Sequence, residues 1–147
     1  MNRVATRIAK TAVAAALLET GAAAIRSHSF YPISIAMYAV MEIVYFLVVV
    51  CVAAIIAARL ARTVNWLQRA LFFGIVFAPS LFSYIGFFRN VTYYEEFGSA
   101  LVIDHQITNA GFKELVLSGA ISAVIALIAS FIYFRGGTVS KPARVDG

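Results

Sequence analysis

Between Phe30 and Ala58 the chain carries twenty-nine residues and a single charge, that of Glu42. A helix needs about 20 apolar residues to cross the hydrocarbon core of a bilayer. A run this long and this apolar has no place on the surface of a water-soluble domain. Two further runs qualify: Ala70 to Phe88, set between Arg69 and Arg89, and Leu115 to Phe134, closed by Arg135. A weaker fourth run, Ile8 to Ile25, is rich in alanine and contains Lys10 and Glu19. Composition agrees: 62% of residues are hydrophobic and 13% charged, against about 45–50% and ~25% in soluble domains. Intrinsic disorder, a nucleic-acid-binding surface domain and a small disulfide scaffold are excluded. The expected class is an all-α integral membrane protein, a four-transmembrane-helix bundle with spans near 8–25, 30–58, 70–88 and 115–134. One transmembrane domain, 1–137, is expected to precede a flexible tail, 138–147.

Arg3, Arg7 and Lys10, followed by Thr11 to Leu18 and the small residues Ala22 to Ala24, also match the layout of a secretory signal peptide. A retained first span is the expectation. The loop charges orient the bundle. With a cytoplasmic N-terminus, the inner side receives Arg3, Arg7, Lys10, Arg59, Arg62, Arg69, Arg135, Lys141 and Arg144, and the outer side Arg26, Arg89 and Lys113. Nine against three is the asymmetry that basic residues show across a membrane. Both termini are therefore expected in the cytoplasm of a cell with the protein in its cell membrane, a bacterial inner membrane by this reading. Phe30, Tyr31, Tyr93 and Tyr94 fall at the outer interface, Trp66, Tyr133 and Phe134 at the inner one, where amphipathic aromatic rings are favoured.

The carboxylates inside the spans are the most informative residues. A charged side chain at mid-depth costs several kcal/mol unless neutralised, paired or hydrated, on the order of 2.5–3.5 on insertion scales. Glu19 lies ~4 Å outward of the centre of the first run and Glu42 ~3 Å outward of the centre of the second. They are expected at matching heights on neighbouring antiparallel helices. Two carboxyls in contact do not both ionise cheaply; they share a proton or hold a cation between them. Such a pair suits an ion-coupling or ligand site. The bland reading is polar glue between helices. Ser34, Tyr38 and Tyr45 share the face of Glu42 by steps of three and four and are the expected supporting polar groups.

Pro79 interrupts the third span. It removes one amide and frees the carbonyl of Ile75, so a kink is expected there, with Ser80 or Ser83 satisfying the freed group; Pro79 is a candidate hinge, the bland reading being a proline that is simply tolerated. Ser118, Ser122, Ala126 and Ser130 form a small-residue face on the fourth span, suited to close helix approach. The connection from Asn90 to Lys113 is the one substantial loop. Tyr93, Tyr94, Phe97, Ala100 and Leu101 recur there at helical spacing, which reads as a short interfacial helix. Asn109 is the expected cap of the fourth span, with Glu114 near its first turn. Asp104, His105 and His28 match no metal-ligand spacing, so no metal is expected. Cys51, the only cysteine, reads as a small buried hydrophobe.

The stretch Glu19-Thr20-Gly21, followed by Arg26, Ser29 and Phe30, resembles the first span of the small multidrug-resistance transporters, four-span proteins with an embedded glutamate in that helix. The likeness covers about twenty residues of 147. This chain departs in its length, its second intramembrane glutamate and its long third loop. The resemblance implies cation-coupled transport with Glu19 as the coupling group.

No catalytic motif, phosphate loop or cofactor-binding pattern is present in the sequence. A non-enzymatic role without cofactors is expected, and no nucleic-acid partner. The leading expectation is a small oligomeric proton- or cation-coupled transporter or channel using Glu19 and Glu42. The alternative is a non-catalytic accessory subunit of a larger membrane complex. The expected partners are the lipid bilayer and either further copies of the chain or other membrane subunits.

Overall fold

A computed structural model describes residues 3–27, 31–60, 65–93, 102–103 and 106–135. It contains four helices: α1 (Arg3–Ser27), α2 (Pro32–Leu60), α3 (Asn65–Tyr93) and α4 (Asn109–Arg135). α1, α3 and α4 are longer than the apolar runs that mark them, and α2 equals its run in length, shifted by two residues. The apolar run measures what lipid would cover, whereas helical hydrogen bonding continues into the polar flanks. Three of the helices, α1, α2 and α4, are long and apolar enough to cross a membrane.

Local chemistry sets the helix starts. Pro32 occupies the first helical position of α2, where its missing amide has no partner to lose. The Ile35 amide donates to the Tyr31 carbonyl at 3.0 Å, closing the first turn. Before α4 a two-residue antiparallel ladder pairs Val102 with Ile107 and Ile103 with Gln106. The second strand, β2 (Gln106–Ile107), delivers the chain in the extended conformation that a helix cap requires. The cap is therefore Thr108, not Asn109. The Gly111 amide donates to Thr108 Oγ1 at 3.0 Å, and the Phe112 amide donates to the Thr108 carbonyl at 2.8 Å. The expected interfacial helix falls mainly on 94–101, outside the described residues. So do Asp104, His105, His28 and the tail 138–147.

The four helices close into a ring: α1 packs on α2 and α4, and α3 packs on the same two. On α2 the buried face runs Glu42, Phe46, Val49, Val50, Ala53, Ala54, Ala57, a stripe at helical spacing. Cys51, expected within the core, is only partly exposed rather than buried; it stands at the edge of this stripe. Alanines from three helices, among them Ala12, Ala16, Ala53 and Ala126, line the centre and let the backbones approach closely. Among the described residues Phe46 and Phe72 are the largest wholly buried side chains. Phe72 stacks on Tyr133 with ring centroids 4.6 Å apart and meets Phe134 edge-on at 5.5 Å. The opposite face of α2 exposes Ile33, Met37, Val40, Met41, Val44 and Val48. In water that face would be a liability; against lipid it is an ordinary outer surface.

Close packing of alanines makes the core intolerant of bulk. Ala126→Leu, at a wholly buried position, is expected to destabilise the bundle by about 1–3 kcal/mol. Ala120→Leu, on the exposed face of the same helix, should leave stability unchanged. Unfolding of the detergent-solubilised protein followed by circular dichroism measures both.

Candidate functional site: a buried carboxylate layer

Alternating chain direction puts residues from different helices at one height. Glu19 lies eight residues before the end of α1, and Glu42 lies ten residues into α2. At the rise of an α-helix their heights differ by about 3 Å. Both are buried, Glu19 at 0% and Glu42 at 6% exposure. Glu19 sits deepest because α1 turns its small-residue face inward, with Thr11, Ala12, Ala15, Ala16 and Ala23 buried along the same side.

Ser80 is the contact that sequence reading missed. Its Oγ donates to Glu19 Oε2 at 3.0 Å. The two residues belong to helices facing each other across the ring, so this bond spans the diagonal of the bundle. Ser80 therefore does not serve the Ile75 carbonyl as expected, and the side chain of Ser83 lies outside the described residues. Pro79 is carried inside a continuous α3. The Tyr45 hydroxyl donates to the Pro79 carbonyl at 2.9 Å, and lies within electrostatic range of both Glu19 and Glu42. Tyr45, three residues after Glu42 on α2, thus ties that helix to the proline segment of α3. Tyr38 has its hydroxyl buried, whereas Ser34, one turn nearer the start of α2, is exposed.

The interior divides at this layer. Toward the end bearing Arg3 and Arg135 lie the apolar Ala12, Ala15, Ala16, Phe46, Val50, Phe72, Val76 and Ala129, together with the buried hydroxyl of Thr11. Toward the opposite end the buried side chains include Thr20 and Ser118, and above them Arg26 on α1 forms an ion pair with Glu114 on α4. Arg26 also reaches Ser118 Oγ at 3.4 Å. Glu114, expected near the first turn of α4, stands in its second turn and its carboxylate meets Arg26. The Arg26 side chain is 13% exposed and that of Glu114 36%, so water partly screens the pair. Ser122 Oγ and Thr20 Oγ1 are buried with no hydrogen-bond partner among the described residues.

The fold and this layer define a small helical bundle, three of whose helices are long and apolar enough to cross a membrane, with carboxylates held in its interior. No family model, curated protein or solved structure matches the chain.

Removing the diagonal donor should be felt at Glu19. Ser80→Ala is expected to cost about 1–3 kcal/mol, the penalty for stripping a donor from a buried acceptor. In the Glu19→Leu background the same change should cost much less, and the resulting coupling energy of about 0.5–3 kcal/mol is the signature of direct contact. A double-mutant cycle on unfolding in detergent measures it.

Proposed function

We propose that the chain is a four-span membrane protein, with α3 as the remaining span and both termini in the cytoplasm. It acts in the cell membrane, a bacterial inner membrane on this reading, as a proton- or cation-coupled transporter or channel. Glu19 and Glu42 bind and release the coupling ion. The orientation rests on the nine-to-three distribution of basic residues.

The observation that carries the reading is a wholly buried Glu19 joined to a serine hydroxyl beside an intrahelical proline. A carboxyl placed at mid-bundle is held there by a proton, a cation or polar partners. Exchanging one for another is ion binding and release. Tyr45 stands one turn from Glu42 on α2 and bonds the Pro79 carbonyl. A change of occupancy at the glutamates is thereby communicated to the one helix whose hydrogen-bond ladder already lacks an amide. The polar half of the interior, ending at Arg26 and Glu114, is the side from which an ion reaches Glu19.

The apolar half favours two features of the assembly. Among the described residues of this 16.0 kDa chain, the interior below Glu19 is packed mainly with alanine and phenylalanine, with the Thr11 hydroxyl among them. Ion movement therefore uses surfaces between copies, and we propose a homo-oligomer. The same dense packing suits the second reading, an accessory subunit docking other membrane subunits through its outer faces.

Reconstituted vesicles loaded with a pH-sensitive dye test the proposal. Glu19→Gln and Glu42→Gln should each abolish ion-coupled flux while the purified protein keeps its helicity and its particle mass. Unchanged flux in both variants contradicts the transporter reading. Recovery of stoichiometric foreign chains on mild detergent extraction selects the accessory subunit.

A further inference from the structure

The basic residues at the first end of the bundle do more than mark topology. Arg3, Arg7 and Lys10 follow one another on α1 at steps of four and three, the spacing that keeps side chains on one face. The structure turns that face toward the last turn of α4. Together with Arg135 they line a groove of about 560 Å³ between the two helices, floored by Phe131 and Ile132. No acidic side chain lines it among the described residues. Arg135 is positioned by its own helix, its guanidinium carbon 5.2 Å from the centroid of the Phe131 ring, a cation–π arrangement. Arg7 lies within electrostatic range of Tyr133, also on α4. Four cations thus converge on a cleft whose base is apolar, and Phe131 remains 61% exposed there.

We propose that this α1–α4 groove binds an anionic phospholipid, its phosphate among Arg3, Arg7, Lys10 and Arg135 and its acyl chains against Phe131 and Ile132. The groove lies where one end of α1 meets one end of α4, the level at which a bilayer presents its headgroups. Guanidinium groups offer paired donors to phosphate oxygens. A basic cleft between spanning helices is suited to an anionic headgroup, and the attraction amounts to about fivefold in affinity for each cation near the surface. The apolar floor distinguishes a lipid from a free phosphate, which would leave Phe131 and Ile132 uncovered. The site rests on the membrane-spanning reading but not on ion coupling by Glu19 and Glu42.

Competitive retention tests it. The full chain is reconstituted in vesicles of equimolar phosphatidylglycerol and phosphatidylcholine, extracted in mild detergent, and the lipids still bound are quantified by native mass spectrometry. Phosphatidylglycerol should be retained in clear excess. Arg3→Gln/Arg7→Gln/Lys10→Gln should reduce that preference by about a hundredfold and Arg135→Gln alone by about fivefold. Arg59→Gln, at the same end on α2 and outside the groove, should leave it unchanged. The single Arg135→Gln variant keeps the test decisive if the triple variant does not fold. Added inorganic phosphate should not release the lipid. Equal retention of the two lipids, an unaltered preference in Arg135→Gln, an equal loss in Arg59→Gln, or release by phosphate would each overturn the proposal. Flux in the same vesicles reports on Glu19 and Glu42 separately.

Discussion

A carboxylate taken out of water at the centre of a helical bundle is the constraint to which the rest of this structure answers. Its cost is several kcal/mol before compensation. Glu19 meets that cost by facing inward from α1 and accepting the Ser80 hydroxyl from the helix diagonally opposite. For that bond to form, α1 and α3 must approach across the ring, and the small residues along the inner faces permit it. Alanines dominate one half of the interior for the same reason: backbones drawn together at the carboxylate layer leave little room for larger side chains below it.

The layer also explains why the two halves differ. Below Glu19 the buried side chains are mostly apolar, with Phe46 and Phe72 among the alanines and the Thr11 hydroxyl buried beside them. Above it, Thr20, Ser118 and the Arg26–Glu114 pair offer hydroxyls and charge. Tyr45 stands at the boundary, bonded to the backbone of α3 beside Pro79. Chemistry at the carboxylates and geometry at the proline are therefore parts of one arrangement.

Much of the fold was legible in the sequence because lipid and helix geometry leave few choices. Apolar runs bounded by arginines located the four helices, and short connections fixed their alternation. The matched heights of Glu19 and Glu42 followed from the rise per residue alone. What was hidden depends on which faces meet. Periodicity places Ser80 on α3 but says nothing of Glu19, sixty-one positions away. It places Glu114 near the start of its own helix but gives no sign of Arg26, eighty-eight positions distant. The cap of α4 was displaced by one residue because the short β pairing before it, unmarked by any turn signature, carries Thr108 into the extended conformation. Tyr45 was identified by its face, but its bond to the Pro79 carbonyl was not, since a backbone acceptor leaves no trace in side-chain pattern.

The diagonal approach of α1 and α3 is tested most directly by cross-linking. In a Cys51→Ala background, cysteines replace Glu19 and Ser80 and are treated with a short bifunctional thiol reagent in membranes. A fast intramolecular cross-link is expected for this pair and none for Glu19→Cys with Phe82→Cys, because Phe82 is exposed on α3. Absence of the first cross-link, or equal yields from the two pairs, would contradict the buried carboxylate layer.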